Sequence, residues 1–362
     1  MTDSVAGMTD SKDQIISPGK TVKLVVWDLD ETLWRGTILE GDTPVLDERA
    51  RRLIDVLDTR GILQSVVSRN RDADALHWLR HFGIEAYFLH PQIGWDAKSV
   101  GVARVAEALN IGLDTVLLID DQPFEREEVV HTHPEVRAID PAMLDTLEQD
   151  AHVRPAFLTE EARHRRLLYR AERAREESER TYSGPKSEFL GTLEMRLTIA
   201  PTESGDLQRA AELVLRTNQL NTTGVTYSME ELEHLRESPQ HRLLMVSLQD
   251  KFGEYGKIGV ILLEVAPILW TVRLMLFSCR VMSRGIGAVV LNYLLAEARL
   301  AGVQFHALYR LTNRNRPMLI TYRLAGLRPA EEQGDTTIYT HSLEGIPPCP
   351  DYMQLDALPW LT

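Results

Sequence analysis

The sequence is short of cysteine, of long apolar runs and of positive charge, and each shortage removes a class of protein. Only Cys279 and Cys349 occur. Two thiols cannot build a disulfide framework, so a reducing, cytoplasmic compartment is the expectation. No apolar run approaches the roughly 18 residues that a membrane-spanning helix needs. Lysine and arginine number 40 against 53 aspartates and glutamates, a formal net charge of -13. That excess argues against general nucleic-acid binding and leaves room only for local basic patches. The first 20 residues are rich in Ser, Asp, Gly and Lys and lack an apolar core, so they read as a disordered tail and not as a signal peptide. No internal repeat or low-complexity tract is visible.

What is present fits two ordinary domains in 362 residues, with 44% hydrophobic and 26% charged side chains. From Lys23 to Asp140 short apolar runs alternate with helical patterns. The runs at 23–27, 62–67, 86–89, 116–119 and 136–139 predict strands, and 46–60, 71–82, 99–109 and 124–132 predict the intervening helices. Continuous apolar strands separated by helices mean a doubly wound α/β domain over 21–150, its parallel sheet buried on both faces. Residues 159–180 are charged, free of Gly and Pro, and read as a solvated connecting helix within a linker at 151–188. Beyond the Gly184-Pro185 break the pattern changes. Strands are expected at 243–248, 257–265, 269–277 and 304–309, with helices at 288–300 and 315–324. This predicts a second, α+β domain over 189–345 and a Pro-rich tail from 346 to 362.

The first predicted strand stops at Asp28-Leu29-Asp30-Glu31-Thr32, and the fourth stops at Asp120-Asp121. Parallel strands end on one edge, so these carboxylates can converge. Clustered carboxylates repel one another, and a hard cation such as Mg2+ relieves the repulsion. Ser68 closes the second strand and Lys98 opens a helix. An aspartate there can attack phosphorus, a second can protonate the leaving oxygen, and Ser68 and Lys98 can hold the transferring group.

In order and placement these residues resemble the haloacid-dehalogenase (HAD) superfamily, whose D-x-D-x-T signature stands here as Asp28 to Thr32. The resemblance makes Asp28 the nucleophile, Asp30 the general acid, and Ser68, Lys98 and the Asp120/Asp121 pair the later motifs. It implies magnesium at Asp28, Asp30, Asp120 and Asp121, and substrate contacts from Thr32, Arg69 and Asn70. The segments LDETLW, VSRN, WDAKS, IDDQPFERE, RTNQLN, DKFGEYG and SCRV are similar to the FkbH-like branch of that superfamily. That branch is described as moving a glyceryl unit from D-1,3-bisphosphoglycerate onto an acyl carrier protein for polyketide and related pathways. Glu31 and Arg35 depart from its pattern beside the phosphate site.

The three strands, the Gly285-x-Gly287 turn and the following helix look like the N-acyltransferase (GNAT) fold, which grips the pyrophosphate and pantetheine arm of coenzyme A. Met282 stands where such turns usually carry Gln or Arg. The resemblance implies binding by Asn218, Gln219, Asn221, Thr222, Arg280, Gly285 and Gly287. For the polar residues a helix cap with Asn-rich turn chemistry explains the composition equally well. Cys279 ends an apolar strand before the glycine turn and is a candidate thiolate relay, with His306 as a base brought close by the fold; plain packing is the competing reading. Arg310, Arg314, Arg316 and Arg323 are candidates for docking an acidic carrier protein. A plain HAD phosphatase with a structural second domain, an N-acyltransferase on a vestigial HAD scaffold, and a carrier-docking module are the competing functions.

Overall fold

The computed structural model describes residues 21–217 and 219–357. The tail read at 1–20, Asn218 and the last five positions lie outside the described residues. The chain divides into two compact units between Arg166 and Leu167.

The first unit contains β1 (Leu24–Trp27), a small hairpin β2 (Trp34–Arg35) and β3 (Val45–Leu46), α1 (Glu48–Thr59), β4 (Leu63–Ser68), α2 (Asp72–His81), β5 (Gln92–Ile93), α3 (Lys98–Ala108), β6 (Val116–Ile119), α4 (Pro123–Thr132) and β7 (Arg137–Ile139). Two short helices follow, α5 (Leu144–Leu147) and α6 (Glu160–Arg163). The main strands form one sheet in the order β5-β4-β1-β6-β7, and every pairing in it is parallel. LVVW and VLLI are buried along their whole length because helices cover both faces. In α1, Ala50, Leu53, Ile54 and Leu57 recur at helical spacing and are buried. Asp47 caps this helix by accepting from the Arg49 amide at 2.7 Å.

One predicted strand is wrong. Residues 85–87 form a 3-10 turn, only Phe88 bridges to Gln64, and the edge strand is Gln92–Ile93. The apolar run EAYFL serves packing, with Tyr87 donating to Asp55 at 2.7 Å.

The second unit carries most of α7 (Arg165–Thr181), then α8 (Lys186–Gly191), β8 (Met195–Pro201), α9 (Leu207–Arg216), α10 (Met229–Glu237), β9 (His241–Asp250), β10 (Gly253–Val265), β11 (Leu269–Phe277), α11 (Ile286–Ala301), β12 (Gln304–Arg310), α12 (Arg316–Leu324), β13 (Arg328–Gln333), β14 (Thr336–Thr340) and β15 (Met353–Ala357). Its eight-stranded sheet runs β13-β14-β12-β11-β10-β9-β8-β15. It is mixed: β11 pairs parallel with β12 and β8 pairs parallel with β15, while the remaining neighbours are antiparallel.

The C-terminal segment is not merely a tail, as expected from its prolines, because β15 completes an edge of the sheet beside β8. Nor is the charged helix merely solvated. Arg175 of α7 is fully buried and holds Asp250 at 2.7 Å while stacking 3.8 Å from the centre of the Tyr255 ring. Glu172 and Glu179 of α7 both bind the buried Arg284. The charges of α7 thus fasten it to the DKFGEYG segment and to the turn before α11.

Among the described residues no helix is long and apolar enough to cross a membrane.

Candidate active site

The carboxyl ends of the three central strands of the first unit supply the site. Asp28 follows β1, Asp120 follows β6 on one side of it, and Ser68 ends β4 on the other. A crevice at the carboxyl edge of an open parallel sheet is where such folds bind ligands.

Asp28, Asp120 and Asp121 each present a carboxylate oxygen, all within 4.8 Å of one another. Lys98, the first residue of α3, is buried between two of them. Its Nζ lies 3.0 Å from Asp28 Oδ1 and also bonds Asp120 Oδ2. Burial pushes the Asp28 carboxyl up to about 6, against the opposing pull of Lys98 and with help from repulsion by Asp120. Asp121 is raised for the same two reasons, burial first and Asp120 second. Burial pulls Lys98 down, but Asp28 and Asp120 together outweigh it and hold the ammonium above its usual value. Lys98 bonds two of the three clustered carboxylates, so the pocket keeps an excess of negative charge. An all-oxygen donor set with that excess fits a divalent hard cation held by Asp28, Asp120 and Asp121.

Asp30 does not join this cluster. Trp34 Nε1 donates to its Oδ1 at 2.8 Å, Asn70 Nδ2 donates to its Oδ2 at 3.0 Å, and the Ile38 amide approaches at 3.5 Å. Its carboxylate is aimed and fixed, which suits proton transfer better than metal ligation. Asn70 also reaches Ser68 Oγ at 3.4 Å, and its own Oδ1 is buried with no partner. Thr32 accepts the Asp121 amide at 3.0 Å and donates to its carboxylate at 3.4 Å. Arg69 binds the buried Glu125 at 2.9 Å. Glu31 has φ 54, and its carboxylate accepts from the Gly36 amide at 2.6 Å. A left-handed backbone there favours Asn or Gly, so Glu is the strained choice. Sequence reasoning missed Trp34, whose indole pins the candidate acid; its place inside LDETLW was the available signal.

A cleft beside Lys98 is lined by Ser68, Arg69, Gln92, Gly94 and Asp96. The exposed Trp95 and Phe124 lie in the segments that carry Lys98 and Asp121.

In the second unit the candidate residues gather at the end of β11, but most are already committed. Asn221 and Thr222 are buried. Asn221 Oδ1 accepts from the amides of Thr223 and Gly224 at 3.1 and 2.8 Å, an Asx turn. Thr222 Oγ1 accepts from Met275 N at 3.1 Å. Gln219 is half-buried. Arg280 donates to the Tyr255 carbonyl at 3.1 Å. Gly285 needs its φ of 74, and a Cβ on Gly287 would lie 3.2 Å from Thr321. Cys279 is half-buried at the start of a 3-10 turn. His306 is not near it. It pairs with Thr271 at the opposite end of β11, and the strand between spans roughly 20 Å. Arg314, Arg316 and Arg323 are exposed, but Arg310 donates to the Thr223 carbonyl at 2.8 Å.

No family model and no curated protein matches the chain. Among solved structures, the N-terminal part of BF1531 from Bacteroides fragilis, containing a phosphatase domain complexed with Mg, is similar at 26% identity. That match has a TM-score of 0.30 and covers 35% of this chain and 39% of that one. The ribosomal-protein-S18-alanine N-acetyltransferase from Escherichia coli is similar at 17% identity and TM-score 0.32, over 40% of this chain and 92% of that one. The spermidine N-acetyltransferase from Vibrio cholerae in complex with CoA and spermine gives 16%, 0.31, 40% and 92%. In strand order and connections the first unit is a doubly wound, parallel α/β domain and the second a mixed-sheet α+β domain.

Proposed function

We propose that the chain is a magnesium-dependent HAD-type phosphatase and glyceryl transferase. It takes D-1,3-bisphosphoglycerate, places the glyceryl group on the phosphopantetheine thiol of an acyl carrier protein, and removes phosphate. The carboxylate cluster at Asp28, Asp120 and Asp121 around Lys98 supports the phosphatase half. The FkbH-like motifs in both units motivate the transfer half.

At the first site the Asp28 carboxylate attacks the ester phosphorus. A new P–O bond forms, the bond to the substrate oxygen breaks, and Asp30 gives that oxygen its proton. Water then attacks the aspartyl phosphate, its proton passes to Asp30, and phosphate leaves as the Asp28 carboxylate is restored. Lys98 balances charge beside both carboxylates, and Ser68 donates a hydrogen bond to the phosphoryl oxygens. A bound divalent cation would further neutralise those oxygens. At the second site the Cys279 thiolate attacks the acyl carbon of the acyl phosphate, a C–S bond forms, and phosphate departs. The carrier thiol then displaces Cys279 by thioester exchange. Arg314, Arg316 and Arg323 form the carrier-facing patch, its charge opposite to that of an acidic carrier.

Incubation with holo carrier protein, magnesium and bisphosphoglycerate, followed by intact-mass measurement of the carrier, tests the whole reading. A glyceryl increment that vanishes with Cys279→Ala and persists with Cys349→Ala is expected. Phosphate release without that increment would leave a plain phosphatase with a structural second domain. The internal commitment of Asn221 and Thr222 favours that alternative. Charge reversal of Arg316 and Arg323 together should raise KM for the carrier, more at low salt; an unchanged KM would remove the patch.

A further inference from the structure

A GNAT-like fold brings with it the expectation of coenzyme A, its pantetheine arm along the end of β11 and its pyrophosphate on the turn before α11. We infer that this unit does not bind coenzyme A there, because the chain itself fills each part of that place. This holds whether or not the protein transfers a glyceryl group.

The slot along β11 is filled first. β11 and β12 pair only from Leu269↔Gln304 to Val272↔Ala307 and then diverge. Beyond Val272 an edge of β11 would be open, and an amide-bearing arm could add to it as a strand adds to a sheet. In this chain residues 220–222 occupy that edge. Asn221 bridges Leu276 in antiparallel fashion. Phe277 N donates to Leu220 O at 2.9 Å, Thr222 N donates to Met275 O at 3.1 Å, and Met275 N donates to Thr222 Oγ1 at 3.1 Å. On the other side Arg310 N of β12 donates to Thr222 O at 3.1 Å. The buried Asn315 locks the insert by donating to Asn221 O and Arg310 O, both at 2.9 Å. The gap between the diverging strands is closed by this short segment, and the Thr222 amide and the carbonyls of Leu220, Asn221 and Thr222 all have partners there.

The turn is filled next. Arg284, its last side chain before the glycine, is fully buried and bound to Glu172 and Glu179 at 3.1 and 3.0 Å. It cannot face a pyrophosphate while it holds those carboxylates. A Cβ on Gly285 would stand 3.0 Å from the Tyr352 hydroxyl, so that ring already lies against the turn. Gly287 is explained by the close approach of Thr321. Removing the insert would strand buried polar groups at Met275, Phe277, Asn315 and Arg310, and each such loss is strongly unfavourable. What this leaves to a carrier-borne thiol is approach to the half-buried Cys279 from the solvent side.

The test uses the full chain with acetyl-CoA as the probe, by isothermal titration together with amide hydrogen exchange of Met275 and Phe277. We expect no saturable binding up to about 1 mM, and strong protection of both amides without any ligand. Saturable acetyl-CoA binding below that concentration would overturn the inference. So would free exchange of the two amides in the unliganded protein, because the insert would then not be in place.

Discussion

The two units bury charge differently. In the first, Asp28, Asp120 and Asp121 crowd together with a single ammonium bound to two of them, and Asp28 is pushed up to about 6 by burial and repulsion. In the second, Arg175 has Asp250 and Tyr255, Arg284 has Glu172 and Glu179, and Arg209 has Glu212. Each buried cation of the second unit has a carboxylate partner, although burial still raises Glu172, whereas in the first unit the carboxylates outnumber the cation. The uncompensated cluster is the one that asks for a ligand. The compensated network holds α7 against the sheet and fixes the turn that carries Cys279.

That contrast is broken most severely at Asp28. Asp28→Asn keeps shape but removes the anion proposed as the nucleophile, and phosphate release should fall by at least about a thousandfold. Circular dichroism and thermal unfolding should show the fold intact. A variant retaining more than a few per cent of the wild-type rate at saturating magnesium would take the chemistry away from Asp28. Exhaustive EDTA treatment should silence wild type equally, and magnesium should restore it.

The next largest effect separates the units directly. Lys98→Met and Arg175→Met each remove a buried cation and should each cost about 3–5 kcal/mol in denaturant unfolding. They should differ in activity. Lys98→Met also abolishes phosphate release, while Arg175→Met leaves it unchanged at temperatures where the protein is folded. Equal losses of phosphate release from both would erase the distinction between a reactive and a structural network.

A third effect follows from the sign of the Asp28 shift. Its folded carboxyl titrates at about 6 against 3.8 for the ordinary group. Between these values the native state keeps a proton that the unfolded state has lost. The charged form is thus disfavoured by folding, and stability falls as pH rises from about 4 to 6, on the order of 3 kcal/mol in total. Asp47 and Asp150 are lowered by their hydrogen-bonded partners, against the cost of burial, and contribute the opposite slope. The readout is therefore the difference between wild type and Asp28→Asn in EDTA, measured by urea unfolding across that window. Wild type should lose stability relative to the variant as pH rises. No change in the difference would mean that Asp28 is not held in an unfavourable field.

The two units also differ in how far they can be read from sequence. In the first unit each candidate side chain follows a buried apolar strand or opens a helix, so the ends of the apolar runs locate Asp28, Ser68 and Asp120, and the helix start locates Lys98. The error there, at 85–87, comes from an apolar run too short to separate a strand from a packed turn. In the second unit the alternation of Met195, Leu197 and Ile199 in β8 is a strand signal that sequence reasoning missed, while the apolar pattern does not reveal β13, β14 or β15. The segment RPAEEQ is exposed throughout, and its place in the sheet comes from pairing with β14, not from alternation. The role of Asn221 and Thr222 is not legible because it depends on where β11 and β12 part. The helical pattern of α7 is visible, but which of its charges are buried depends on Asp250 and Arg284, far along the chain.

The smallest effect is the one that most finely distinguishes packing from binding. Gly287 stands at the start of α11, and a Cβ there would lie 3.2 Å from Thr321 Cγ2 and 3.7 Å from Phe277. Alanine favours helix over glycine by up to about 1 kcal/mol, with less gained in the first turn. The Thr321 side chain must give way by a few tenths of an ångström, and its hydroxyl is held by the Pro317 carbonyl at 3.1 Å. Gain and crowding nearly cancel, so Gly287→Ala should move stability by no more than about 1 kcal/mol in either direction. If Gly287 is a packing glycine, carrier loading stays within about twofold of wild type, a change of under about 0.5 kcal/mol in the barrier. A tenfold loss of loading with unchanged melting temperature would mean that a ligand approaches the backbone at this point. It would also reopen the turn before α11 as a binding site.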